Sequence, residues 1–421
     1  MDEVAGQDAP AGAGTSLPGE ARAVDRRGAR SALAEDIPAL EQGDTRPSAL
    51  TRQLLAAYTL LVVYASLHPF SGWRDPGVSP LAWISAALPR YITAFDVVAN
   101  IVGYAPLGFL ALLAQARLVD ATPAWGGAAT PASGGGATPA SRLHKARAAV
   151  VAVLGPAVLS AAMESLQTYL PSRVASNVDL ACNAAGALLG MLIGIALWRR
   201  LRPGEDLPAL RQRLFRTGSA IDLGLVLLGL WLFSMLNPET LLYGNGDLRD
   251  LFQLADGHLH PAEVFIRFEA AEAAANALAV ALLAATLARR GQPVRLIVLA
   301  VMLASLLARA LAFALLFSSQ DFLVWATPGA MFGAAAGTLV ALIVVGLPRP
   351  LRLALCGLAL MAGTAIVNIA PDNPYLSATL AAWPQGQFLH FNGMTHLVSV
   401  IWPFAALGYL MWLTGNADRR S

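Results

Sequence analysis

The sequence predicts an all-α membrane protein, a polytopic transmembrane helical bundle with about ten spans. Hydrophobic residues make up 56% of the 421 residues and charged residues only 13%, whereas a soluble chain carries roughly 25% charged residues. Apolar runs such as IDLGLVLLGLWLFSML have the length of a membrane span. The net charge of +2 is too small, and the basic residues are too scattered, to indicate a nucleic-acid partner.

Apolar windows of about 20 residues each support this prediction. The connections between them alternate between arginine-rich and arginine-poor, and the positive-inside rule places the arginine-rich set in the cytoplasm. Both termini are therefore expected in the cytoplasm. The windows cover residues 54–69, 95–117, 147–170, 178–198, 219–237, 263–288, 294–317, 322–347, 351–370 and 396–414.

Two segments have a composition that disfavours a packed structure. Residues 1–50 are rich in Ala, Gly, Pro and charge, and they are predicted to form a disordered cytoplasmic tail. Residues 121–142 are a low-complexity stretch with the character of a flexible cytoplasmic loop. The two cysteines, Cys182 and Cys356, lie in apolar runs and are interpreted as small core residues.

An internal repeat is predicted from motifs that recur in the same order. An acidic residue precedes an asparagine by four positions in FDVVAN and again in EAAAN. Glycines spaced four apart follow in each block, at positions 186, 190 and 194 and at positions 329, 333 and 337, and they predict close helix packing. We therefore divide the chain into a first four-helix block (51–200), a degenerate second block (217–347) and a final helix pair (350–415).

Polar side chains of the first block concentrate at the predicted outer ends of its helices. Ionisable groups at such depths are costly and usually face a bundle interior or a water-filled cavity. Capping could explain Asp96 and Asp179 at helix starts, but it cannot explain Glu164 inside a helix. Three carboxylates near one arginine would share protons, or would bind a cation or a polar head group. The predicted outer-leaflet pocket consists of Asp96, Asn100, Glu164, Gln167, Arg173, Asp179 and Asn183.

The second block carries two secondary candidates, Arg309 and Glu272. Aligning SAAME with SLLAR places Arg309 where the first block has Glu164. A buried arginine needs a partner, and Glu272 or Glu269 is nearest by topology, which predicts a structural ion pair. The alternative is that Arg309 reaches Glu164 or Asp179 and completes one composite site.

FDVVANIVGYAPLGFLALL followed by ESLQTYLPSRVASNVDLACNAAGALLG resembles the VanZ-like family of bacterial membrane proteins over about residues 55–198. The second copy, at about 219–347, matches only in outline. The resemblance implies an inner-membrane protein of the cell envelope with no established reaction and a link to low-level glycopeptide antibiotic resistance. The family pattern falls on Asp96, Asn100, Pro106, Leu107, Gly108, Glu164, Gln167, Arg173, Asp179, Asn183, Gly186 and Gly190.

Three functions are compatible with these features. The favoured hypothesis is non-enzymatic binding of a polar head group, from a membrane lipid or a lipid-linked envelope precursor. An intramembrane lipid-modifying enzyme would use Glu164 or Asp179 as general base or metal ligand, although no hydrolase, metalloprotease or P-loop motif is present. A secondary transporter would fit the internal repeat. No catalytic residue, metal site or cofactor is predicted.

Overall fold

The structure is a computed structural model that describes residues 49–120 except 90, 139–200, 207–249, 260–316, 322–381 except 372, and 389–417. The predicted disordered tail lies almost wholly outside the described residues, and so does most of the predicted loop at 121–142. The described residues form α-helices and one short 3-10 helix, Ala82–Ser85, and they contain no strand. The all-α prediction is confirmed.

The described helices, in chain order, are α1 Leu50–Leu67, α2 Ala94–Asp120, α3 Pro139–Gln167, α4 Asn177–Arg200, α5 Leu207–Leu214, α6 Ser219–Ser234, α7 Ala262–Leu287, α8 Val294–Leu316, α9 Pro328–Val344, α10 Arg349–Ile369, α11 Pro374–Ala381 and α12 Leu389–Ala417. Eight of them are long and apolar enough to cross a membrane. The apolar helices α6 and α9 are shorter, with 16 and 17 residues. Every predicted apolar window coincides with one of these ten helices. A multi-pass helical bundle is confirmed, while the exact number of crossings stays a prediction.

The bundle has one end with several acidic side chains and an opposite end with a cluster of arginines. The acidic end is the end at which α1 finishes and α2 begins, and it carries most of the acidic side chains discussed below. The basic end is the opposite end, where Arg216 interacts with Arg290, Arg349 and Arg352. Burial, together with the positive charges of these three arginines, lowers the pKa of Arg216.

Helices α2 and α4 pack with their backbones in contact because glycines lie at the contact points. A Cβ atom on Gly186 would overlap the carbonyl oxygen of Ile101, and one on Gly190 would overlap that of Ala105. A small residue is therefore required at both positions in α4. Close backbone approach of this kind is how helices associate in lipid, where the hydrophobic effect between helices is lost.

Helices α7 and α9 pack in the same manner. A Cβ atom on Gly333 would overlap the carbonyl oxygen of Ala270, and one on Gly337 would overlap that of Ala274. Most of α7 is buried, and it forms the centre of the main hydrophobic core. The predicted role of the spaced glycines in helix packing agrees with these contacts in both blocks.

Each block has an acidic residue four positions before an asparagine, Asp96 and Asn100 in the first and Glu272 and Asn276 in the second. These two polar pairs lie at different levels along the helix contacts. Asn100 directly precedes the residue that contacts Gly186, the first glycine of the α4 triplet. Asn276 lies two residues beyond the contact of Gly337, the last glycine of the α9 triplet. The two blocks thus share glycine packing but differ in the depth of their polar pairs, and the internal repeat stays a prediction.

Helix α1 joins the first block to the second at the basic end. The fully buried carboxylate of Asp222, at the start of α6, accepts the backbone N–H of Ala49 at 2.9 Å and forms an ion pair with Arg211. Beside it, the side-chain amide of Gln53 donates to the carbonyl of Ser219 at 3.2 Å. The start of α1 is therefore attached to the start of α6.

Between α6 and α7, the described residues 237–248 enter the bundle interior without forming a helix. We call residues 237–249 the re-entrant segment. Tyr243 and Asn245 are each only 1% exposed, although the backbone around them is irregular. Irregular backbone at membrane depth is tolerated only where protein or a water-filled cavity surrounds it.

Two side chains and one backbone carbonyl, from three helices, satisfy backbone groups of the re-entrant segment. Arg309 of α8 donates to the carbonyl oxygens of Asn237 and Thr240 at its start. Asn368 of α10 accepts the N–H of Leu248 at 2.8 Å and donates to the carbonyl of Gly246 at 2.7 Å. The N–H of Gly246 also donates to the carbonyl of Ser399 in α12 at 2.8 Å. These bonds replace the partners that water would provide outside a membrane.

We expect Gly190→Ala to lower the melting temperature of the detergent-purified protein by about 3–8 °C, because overpacking a tight contact costs roughly 1–3 kcal/mol. Thermal-shift measurement would show the loss. The matched control is Gly229→Ala, where an added Cβ meets nothing within 4 Å. Equal melting temperatures for the two variants would contradict the glycine contact between α2 and α4.

Candidate functional site

Glu164 lies in the last turn of α3 and is only 4% exposed. Its Oε2 atom accepts the backbone N–H of Ser176 at 2.8 Å. The hydroxyl of Ser176 in turn accepts the N–H of Val178 at 3.2 Å, at the start of α4. One carboxylate oxygen of Glu164 thus joins the end of α3 to the start of α4.

Gln167 and Arg173 contact the end of α1. The Gln167 side-chain amide donates to the carbonyl of Ser66 at 2.8 Å, and Arg173 donates to the carbonyls of Ala65 at 2.5 Å and His68 at 3.1 Å. The last carbonyls of a helix have no partner within the helix, so these two side chains satisfy them. Burial lowers the pKa of Arg173, although the charge of Glu164 acts in the opposite direction. Both predicted site residues therefore have a structural role.

Asp96 and Asn183 also form local hydrogen bonds. The hydroxyl of Thr93 donates to Asp96 Oδ2 at 2.6 Å, and the N–H of Asp96 donates back to that hydroxyl oxygen at 3.1 Å. This reciprocal arrangement caps the start of α2. The side-chain amide of Asn183 donates to the hydroxyl of Ser160 at 2.9 Å, across the contact between α4 and α3.

Three carboxylates nevertheless lie in sequence from the surface into the first block. We call Asp96, Asp179 and Glu164 the carboxylate row. Asp96 is exposed, Asp179 is half-buried and Glu164 is buried. Asp179 repels both of the others, since its negative charge interacts with Glu164 and with Asp96. Asn100 lies one turn from Asp96 on α2 and is half-buried. The structure thus brings the seven predicted first-block residues to one end of four helices.

Sequence reasoning missed several hydroxyl groups beside the carboxylate row. The hydroxyl of Tyr104 interacts with the side chains of Ser160 and Ser66, close to Glu164. A signal for Tyr104 was available, because it lies four residues after Asn100 and therefore on the same helix face.

Among the described residues, no group of three or more His, Cys, Asp or Glu side chains is placed to bind a metal ion.

An apolar groove lies deeper in the same block, between α1, α2 and α3. Its volume is about 220 Å³, and its lining includes Leu55, Leu107, Gly155 and Leu159. Leu107 is eleven residues beyond Asp96 along α2, which corresponds to about 16 Å at the rise of an α-helix. The groove therefore lies further from the acidic end than the carboxylate row does.

The second-block candidates do not join this site. Arg309 donates to two backbone carbonyls of the re-entrant segment, and its guanidinium lies 5.1 Å from the ring centre of Phe313. Neither carboxylate oxygen of Glu272 has a hydrogen bond to a described residue. The predicted ion pair of Arg309 with Glu272 or Glu269 is wrong, and so is the composite site with Glu164 or Asp179. Two carbonyls of irregular backbone match the donor geometry of a guanidinium, and such acceptors have no sequence signature.

His68 lies at the contact between the first block and α12. A Cβ atom on Gly393 of α12 would lie 3.2 Å from the His68 ring. Burial lowers the pKa of His68, and the positive charge of Arg173 and the nearby His396 lower it further. His396 in turn lies 3.7 Å from a carboxylate oxygen of Glu239.

Part of the chain matches a known protein family. Residues 42–199 match the model of the VanZ/LLP1 family. This range includes α1 to α4 and all seven predicted first-block residues, and it ends before the second block begins. No curated protein and no solved structure matches the chain.

We expect the protein to lose stability as the pH falls below about 6.5, the ordinary pKa of histidine. The folded state holds the pKa of His68 lower than the unfolded chain does, so only the unfolded chain takes up the proton at first. The contribution of His68 is present above that pH and is lost as the pH falls through its lower folded-state pKa.

Melting temperatures measured from about pH 8 to about pH 5 would test this pH dependence. His68→Gln should lose less stability than the wild type over this range. The control His260→Gln, whose ring contacts Phe265 of α7, should follow the wild type. Identical pH profiles for the wild type and His68→Gln would refute the assignment.

Proposed function

From the VanZ-like domain that residues 42–199 form, we propose that this multi-pass membrane protein binds a polar head group at its acidic end. The head group would belong to a membrane lipid or to a lipid-linked precursor of the cell envelope. In this proposal the acidic end faces outward in a bacterial inner membrane. The basic end and both termini face the cytoplasm, as the positive-inside rule requires.

The observation that supports this proposal is the carboxylate row with an apolar groove at greater depth in the same helices. An amphiphile has the same arrangement, because its polar head is followed by a hydrocarbon chain. The groove lining is mainly carbon, with side chains such as Leu55, Leu107 and Leu159, and apolar pockets with a few placed polar groups are typical of ligand sites.

The side chains of the row favour a head group that carries hydroxyl or amine groups. Carboxylate and amide oxygens accept hydrogen bonds from both. Among the described residues, none donates a hydrogen bond to the carboxylate of Asp179, and Glu164 accepts the N–H of Ser176 with one oxygen. A phosphate alone would be repelled by these charges. Sugar or amine recognition therefore suits the row best.

Two consequences of the proposal concern biology. Binding of an envelope precursor would connect the protein to cell-wall assembly, and this would account for a link to low-level glycopeptide resistance.

A secondary transporter is the second candidate, because irregular backbone inside a helical bundle is typical of transporter binding sites. The re-entrant segment is the observation that favours it.

We expect Glu164→Gln to weaken head-group binding at least tenfold, because hydrogen bonds to a charged group contribute about 1.5–3 kcal/mol. The glutamine carbonyl can still accept the N–H of Ser176, so the protein should remain folded. Mass spectrometry of lipids that copurify with each variant would measure the loss. Glu263→Gln in α7, whose side chain is 82% exposed, is the matched control. Unchanged bound lipid, or a collapse in protein level, would contradict a binding role for Glu164.

We expect Gly155→Leu to displace the hydrocarbon chain of a bound amphiphile. An added Cβ at Gly155 meets nothing within 4 Å, and the residue lines the groove. The leucine side chain should therefore fill the groove without disturbing the helices, since leucine also favours helix formation. Native mass spectrometry would count the bound lipids per chain. The control Gly229→Leu, also open around its Cβ position, should retain them, and equal occupancy in both variants would exclude the groove.

A further inference from the structure

Two polar side chains in the centre of the second block have no hydrogen-bond partner among the described residues. Glu272 is 0% exposed and Asn276 is 1% exposed, one turn further along α7 on the same face. Both carboxylate oxygens of Glu272 and both amide atoms of Asn276 lack a partner within the described ranges. Burying such groups without compensation is costly, and a charged carboxylate costs the most.

The re-entrant segment and α10 close around these two side chains. A Cβ atom on Gly244 would overlap Glu272 Oε1, and the carbonyl oxygen of Leu241 lies 3.3 Å from the same position. A Cβ atom on Gly363 of α10 would lie 2.5 Å from Asn276 Oδ1. Three elements, α7, α10 and the re-entrant segment, therefore meet at the polar pair.

Thr364 adds a third unpaired side chain at this meeting point. Its hydroxyl oxygen is buried and has no hydrogen bond to a described residue. It directly follows Gly363, and it lies 3.4 Å from the Cβ position of Gly246 in the re-entrant segment. The hydroxyl therefore lies beside the re-entrant segment, one residue along α10 from the glycine that contacts Asn276.

Glu272 lies inside the helical bundle, on the buried part of α7. It is five residues beyond the exposed Arg267, a rise of about 7.5 Å along the helix. Ionisable residues inside membrane helices are costly and mark ion or substrate pathways. Coupling ions in transporters bind at unwound backbone, and Glu272 lies beside the irregular backbone of the re-entrant segment.

We propose that Glu272, Asn276 and Thr364, with the backbone carbonyl of Leu241, bind one sodium ion. One carboxylate balances one positive charge, and the remaining ligands are neutral oxygens, as a hard cation requires. A divalent cation would take more than one carboxylate. Two other carboxylates interact with Glu272, but Asp247 forms an ion pair with Arg249, and Glu269 is directed at α9, where a Cβ atom on Gly329 would lie 2.6 Å from it.

The positive charge of Arg249 acts on Glu272 without a hydrogen bond to it, because the Arg249 guanidinium pairs with Asp247 and donates to the carbonyl of Ala370. Arg309, which the sequence analysis paired with it, donates instead to two backbone carbonyls. A proton on Glu272 would satisfy one oxygen only, whereas a sodium ion contacts the oxygens of all three side chains at once. Sodium binding therefore accounts for all three buried oxygen groups together.

The backbone beside Gly244 supports a ligand-binding role for the segment. Tyr243 has a φ of 64°, in the left-handed region that a bulky residue rarely adopts. Its hydroxyl lies 2.8 Å from that of Ser305 in α8, within hydrogen-bond distance. Such conformations cost energy and cluster at ligand-binding and switch sites.

Thermal stability in different salts tests the proposal on the full-length protein in detergent. At equal ionic strength, sodium chloride should raise the melting temperature by about 5 °C at saturation, relative to potassium chloride and choline chloride. Glu272→Gln should abolish this rise, and Glu263→Gln, on the exposed face of the same helix, should retain it. Thr364→Val keeps the side-chain shape and should shift the half-maximal sodium concentration upward about tenfold.

Three results would overturn the proposal. The first is an equal melting temperature in all three salts. The second is a sodium-specific rise that survives unchanged in both Glu272→Gln and Thr364→Val. The third is a rise that acidification in potassium chloride reproduces in full. If Glu272→Gln does not fold, Thr364→Val decides alone. The sodium effect should persist in Gly155→Leu, so this test is independent of head-group binding.

Discussion

Irregular backbone inside a helical bundle has to find every hydrogen bond within the protein, and this constraint shapes the second half of the structure. The re-entrant segment meets it with Arg309 at its start and Asn368 near its end. Each of these polar residues would be unfavourable in an apolar helix if the segment were absent. The segment and its surrounding helices therefore depend on each other. Contacts with the re-entrant segment explain why α8 and α10 carry Arg309 and Asn368.

The first block uses polar residues in a different way. Gln167 and Arg173 satisfy the end of α1, and Asp96 caps α2. These bonds fix the ends of the helices and leave the half-buried Asp179 and one oxygen of Glu164 facing the same region. A ligand site on such rigid helix ends needs little rearrangement on binding, because its side chains are already held by backbone contacts.

Sequence patterns predicted the features that depend on hydrophobicity and residue size. Apolar windows coincide with the described helices, and the spaced glycines lie at the α2–α4 and α7–α9 contacts. Sequence patterns did not predict contacts in which the hydrogen-bond partner of a side chain is a backbone atom. The acceptors of Arg309 are carbonyl oxygens, which every residue carries, so side-chain identity pointed wrongly to Glu272. The segment NPETLLYGNGDLR has the composition of a surface turn, and only tertiary packing shows that its central residues are buried.

Helix α1 has consequences for the order in which the chain is assembled. Its end contacts Gln167 and Arg173 of the first block, while its start contacts Asp222, which lies 173 residues after Ala49. At about 5–20 residues per second, a ribosome needs roughly 9–35 seconds to synthesise that interval. During this time α1 can dock at one end only. The VanZ-like domain is therefore completed late in translation, when α6 reaches the membrane and supplies the buried carboxylate that α1 requires.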